Sequence, residues 1–120
     1  MKDIFFWRLL LQRGDAHVLL DCTAVYRIHP GGAWSLQSEF QQHLSNLRTA
    51  QSMLAHFGRQ RDVRTFHSLA LQSCLRHLQV NDLGEVEFLI GVALRSRPAA
   101  LPQLFSAWVR QKIRQAVSKC

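Results

Sequence analysis

The chain has 120 residues, the size of one domain, and 48% of them are hydrophobic. That excludes a disordered tail and allows a core without disulfide staples. Fifteen basic residues against eight acidic ones leave a net charge of +7, which suits acidic or polyanionic partners and disfavours basic ones.

The first predicted helix covers Lys2–Gln12. Phe5, Phe6 and Trp7, with Ile4 and Leu9 to Leu11, make it apolar on nearly all sides, and only Arg8 and Gln12 interrupt it. A membrane span needs about 18 uninterrupted apolar residues, which no window approaches. Arg8 and the lack of a small-residue cleavage site argue against a secretory signal. An all-round apolar helix is normally covered by other protein. Phe5, Phe6 and Trp7 are therefore candidate partner-binding residues, the partner being another subunit or a second copy. The alternative is that this helix is simply central to the fold.

Gly14 stands where a left-handed cap would end this helix, and Asp15 where a second would begin. In that second segment Val18, Cys22 and Val25 recur at helical spacing. Residues 16–28 are also rich enough in β-formers to read as a strand, and His29-Pro30-Gly31-Gly32 ends the unit in a turn.

The third predicted helix has the clearest pattern. Ser35 is placed as its N-cap, and Leu36, Phe40, Leu44, Leu47, Ala50, Leu54 and Phe57 step at intervals of three and four up to Gly58. A fourth helix follows Asp62, with Val63, Phe66, Ala70 and Cys74 on one line and Leu71, Leu75 and Leu78 beside it. That apolar arc is wide and implies a central position. A fifth begins at Asn81-Asp82, where Asp82 and Glu85 have capping-box spacing. Its Arg95 and Arg97 sit at the negative end of the helix dipole, so helix stability accounts for them. Pro98 and Pro102 bracket the start of a sixth. Its expected buried side is Leu101, Phe105, Trp108, Val109, Ala116 and Val117, and its outer side Gln103, Arg110 and Arg114. The reading is a single all-α domain, residues 1–120, of five to six helices in a small bundle or a short array of helical hairpins. The distance from Val63 to Pro98 is near that of one helical-repeat unit, but the flanking segments do not repeat its pattern.

Catalysis finds little footing. Several of the eight acids stand at helix caps, and Glu85 and Glu87, two apart, point to different faces of a helix. There is no GxSxG, phosphate-binding loop or dinucleotide fingerprint. The expectation is a protein that is not an enzyme, without cofactor or small-molecule substrate. Cys22, Cys74 and Cys120 are odd in number and lack a CxxC pair. That points away from a disulfide framework and toward an intracellular, reducing compartment, cytoplasm or organelle matrix. For metal, the nearest set is Cys74, His77 and His67, but Cys74 falls in an apolar stripe where it reads as core, and no metal site is assigned.

Charge is unevenly spread. Residues 1–39 balance to zero, 40–81 carry +4, 82–87 carry −3 and 88–120 carry +6. Arginine outnumbers lysine twelve to three, which favours forked contacts to phosphate and carboxylate. Arg59, Arg61 and Arg64 cluster between the third and fourth helices, and Arg110, Lys112 and Arg114 near the C-terminus. The aromatic residues fall mostly on buried stripes, so no stacking platform for bases is read. The leading expectation is a non-catalytic helical adaptor or accessory subunit, binding through the apolar N-terminal helix and a basic second-half surface. The alternative is an RNA- or DNA-binding protein, such as a ribonucleoprotein component, that uses the two basic clusters.

Overall fold

In the computed structural model, residues 3–21, 24, 31, 32, 34, 36–79 and 82–117 are described. They form five α-helices: α1 (Asp3–Leu11), α2 (Glu39–Phe57), α3 (Arg61–Arg76), α4 (Leu83–Ser96) and α5 (Leu101–Val117). A 3-10 turn, Pro98–Ala100, joins the last two, and no strand occurs among the described residues. The expected all-α array of hairpins is the architecture found.

The helices pair in sequence order. α2 packs along α3, and α4 along α5. Gly58 makes the first hairpin turn possible: its φ of 72° lies where side chains are disfavoured, and its N–H donates to the Leu54 carbonyl at 3.1 Å. In the second hairpin, proline opens the 3-10 turn, where a missing N–H costs nothing.

Phe40, Leu44 and Leu47 of α2 meet Ala70, Leu71, Cys74 and Leu75 of α3, and Leu89, Val92 and Ala93 of α4 lie in the same core. Ala100 and Leu104 extend it toward α5. α2, α3 and α4 thus share one core. Across the α2–α4 contact, the Gln41 amide donates to Glu85 Oε1 at 2.5 Å, and the Arg48 guanidinium lies 5.7 Å from the Phe88 ring centre. A second, smaller cluster of Phe5, Met53, Phe57 and Val63 seats α1 at the turn end of the α2–α3 hairpin.

Several boundaries and faces differ from expectation. α2 starts at Glu39 with Ser38 as its cap, the Ser38 hydroxyl oxygen accepting from the Gln41 N–H at 3.2 Å. Ser35 lies outside the described residues, and Leu36, three-quarters exposed, is not on the buried stripe. Gly14 does not adopt a positive φ. Residues 15–21 and 24 are neither helix nor strand, and the rest of the 16–28 segment lies outside the described residues. Asp82 does cap α4 through Gly84 N–H, but Glu85 turns to Gln41 instead of completing a capping box.

The largest correction concerns α5. Its buried residues are Leu104, Ala107 and Gln111, while Phe105, Val109 and Val117 are exposed together with Ile113. α5 has one principal neighbour, α4, so only a narrow strip is covered. The strip with small Ala107 at its centre permits the closer approach of two helix axes. The bulkier row is left outside.

Candidate docking helix and arginine groove

Among the described residues the sequence candidates separate into three places. Phe5 turns inward, 8% exposed, with its ring 5.3 Å from that of Phe57 and 5.6 Å from that of His56. It anchors α1 and does not present a surface to a partner. Phe6 and Trp7 point outward, 55% and 61% exposed, their rings edge to face at 6.1 Å. Ile4, Leu10 and Leu11 are exposed beside them.

Arg8, the one charged residue in the middle of α1, explains how an apolar helix is held with its apolar face out. Its guanidinium pairs with the Asp62 carboxylate and donates to the Gln60 side-chain carbonyl. The same group lies 5.2 Å from the centre of the Phe57 ring. This pairing holds the Asp62 carboxyl below the usual carboxylate range. Asp62 is also the only acid between residues 40 and 81, so α1 occupies the one carboxylate near the arginine cluster.

Those arginines line an open groove of about 760 Å³ between the α2–α3 hairpin and the C-terminal end of α4. Arg59 enters it from the hairpin turn, Arg61 and Arg64 from the first turn of α3, and Arg95 and Arg97 from the end of α4. All five are exposed, none has an ion-pair partner among the described residues, and no carboxylate lines the groove. Leu54, Leu71 and Val92 form its apolar floor. His67, 6% exposed, also lines it, and its Nε2 lies 2.6 Å from the Gln51 amide nitrogen. With that amide donating, the ring carries its proton on Nδ1. Burial lowers the His67 pKa and favours the neutral ring.

Arg110, Lys112 and Arg114 do not join the groove. They lie on exposed turns of α5, where Arg110 donates to Ser106 Oγ at 2.8 Å and the Lys112 ammonium stands 5.4 Å from the Trp108 ring centre. The two basic clusters read from the sequence are therefore separate features. Arg95 and Arg97, which helix stability seemed to explain, belong with Arg59, Arg61 and Arg64 instead.

Comparison with models of protein families, with curated proteins and with solved structures returns no match.

Cys74 is fully buried and its thiol is pushed up to about 12, so at neutral pH it remains a protonated core side chain. No group of three or more His, Cys, Asp or Glu able to hold a metal ion occurs among the described residues. His77 instead meets Glu39, Nδ1 to Oε2 at 2.8 Å, with the His43 ring 5.0 Å away. No helix among the described residues is long and apolar enough to cross a membrane.

Proposed function

We propose that this chain is a non-catalytic helical adaptor or accessory subunit that docks onto another protein through the outer face of α1. The observation that carries the reading is the orientation of that helix. One large apolar side chain, Phe5, is buried, while Ile4, Phe6, Trp7, Leu10 and Leu11 face out on a helix fixed by Arg8 to Asp62 and Gln60. A fixed surface loses less conformational freedom on binding than a loose one. Tryptophan flanked by other apolar side chains is the residue type that most often dominates interface energies. Covering Phe6 or Trp7 contributes roughly 1.5–3 kcal/mol each.

The size of the surface agrees with this. A compact monomer of this mass exposes roughly 6,600 Å², and this chain exposes 9090 Å². The exposed segment 12–20, with Val18, Leu19 and Leu20 outermost, contributes to that excess beside α1, and a stable interface covers roughly 800 Å² per partner.

The test is affinity purification of the tagged chain from its native cells, beside a Phe6→Ser/Trp7→Ser variant, each with nuclease treatment. Proteins that co-purify after nuclease with the parent chain and are lost with the variant support docking through α1. An unchanged set in the variant, with circular dichroism showing a folded protein, removes α1 from the interface.

A further inference from the structure

The arginine groove calls for a ligand that the docking helix does not supply. Arg61 and Arg64 stand in the first turn of α3, the positive end of its dipole, where a cation is disfavoured. The α3 N-cap residue, Gln60, makes no side-chain cap. Arg59 and Arg97 add charge to the same space, and Asp62, the nearby acid, is held by Arg8. Gathering five guanidinium groups without a counter-charge opposes folding. Nothing within the described residues offsets it, which leaves the charge to solvent counterions or to a bound polyanion that displaces them.

We propose that the groove between the α2–α3 hairpin and the end of α4 binds the phosphodiester backbone of a nucleic acid, with Arg59, Arg61, Arg64, Arg95 and Arg97 on the phosphates. The inference stands whether or not α1 docks onto a protein. A nucleic acid suits the groove better than an acidic peptide. Each strand of a duplex carries a full charge about every 3.4 Å of axis on a regular, already ordered backbone. An extended peptide offers at most one per residue, about 3.3 Å, with alternate residues pointing away, and its chain must be ordered on binding. The groove's other polar groups narrow the mode of recognition. Thr65 and Ser96 donate their hydroxyl protons to the Arg61 and Val92 carbonyls, and Gln51 is engaged with His67. No aromatic ring other than the buried His67 lines the groove, so bases have no surface to stack on. What remains, beside the Ser68 hydroxyl, is contact with phosphates by forked guanidinium groups, indifferent to base sequence.

The experiment uses the full chain and short labelled duplexes of mixed sequence, one RNA and one DNA, with binding followed by fluorescence anisotropy across salt concentrations. Five phosphate contacts give a slope of log K against log salt of about −4.5. Arg59→Gln/Arg61→Gln/Arg64→Gln makes the slope shallower by about 2.7, and Arg95→Gln/Arg97→Gln by about 1.8. An Arg110→Gln/Arg114→Gln control on α5 keeps the parent slope. The pair on α4 lies away from the hairpin turn, so it decides the matter even if the triple variant does not fold. Either duplex meeting these slopes supports the proposal, and the one bound more tightly identifies the source of the backbone. Failure of both duplexes to bind at low salt overturns it. So does a parent-like slope in the groove variants, or displacement of the duplex by poly-glutamate at equal charge concentration.

Discussion

At the scale of single residues, burial and hydrogen bonding decide what each group can do. Leu47 has no exposed surface and touches a core drawn from α2, α3 and α4. Leu47→Ala should lower stability by about 2–5 kcal/mol, read from chemical denaturation. His67 has a pH consequence of known sign. Its folded-state pKa lies below the ordinary value of 6.5, so its contribution is full above that value and is lost as the pH falls through the lowered one. The melting temperature of the parent chain should drop more between pH 8 and pH 5 than that of His67→Gln, which has nothing to protonate there. Equal drops in the two would show that other groups set the acid sensitivity. The sequence revealed the Cys74 role well, because a thiol in an apolar stripe behaves as a small hydrophobe. It concealed His67, because a histidine between apolar neighbours shows no sign of the Gln51 side chain waiting on another helix.

At the scale of elements, the helices were legible and their faces only partly so. α2 and α3 each repeat apolar residues every three or four positions, and their buried sides follow that repeat closely. α5 carries two adjacent rows that qualify, and periodicity cannot tell which row meets α4. The proline and glycine turns placed the hairpin bends, whereas Ser38 replaced the expected cap because a hydroxyl at either position suits a helix start. α1 shows how little holds a short helix: one aromatic anchor, Phe5, and one charged clasp, Arg8 with Asp62. Arg8→Gln should speed amide hydrogen exchange throughout residues 5–11 and leave exchange in α3 and α4 unchanged. Acid should act on the same clasp. The lowered Asp62 pKa means that its contribution is present above the ordinary carboxylate range and disappears only as the pH falls through the lowered value. α1 should therefore stay docked through mild acid and loosen below it, which the exchange of its amides would report.

At the scale of the whole molecule, the chain measures 58 × 36 × 19 Å, and its radius of gyration of 17.6 Å exceeds the roughly 14 Å of a compact domain this long. The thinnest dimension is close to two helix diameters. The arrangement assembles the groove from separate stretches of the chain, which is why it could not be read from the sequence. Its five arginines come from a turn, a helix start and a helix end separated by up to 38 positions, and only the packing of α3 beside α4 brings them together. Composition had already indicated the sign of the ligand, since residues 40–120 hold the whole positive excess. The pairing of neighbours along the chain also sets a tempo. The most extensive contacts are those of α2 with α3 and of α4 with α5, so most of the structure forms by closing loops of a few residues. Domains built from such local contacts fold in microseconds to milliseconds. Rapid-mixing fluorescence of the three tryptophans should find refolding complete within that window, so that a newly made chain buries its core long before a partner or a polyanion can reach it by diffusion at micromolar concentration.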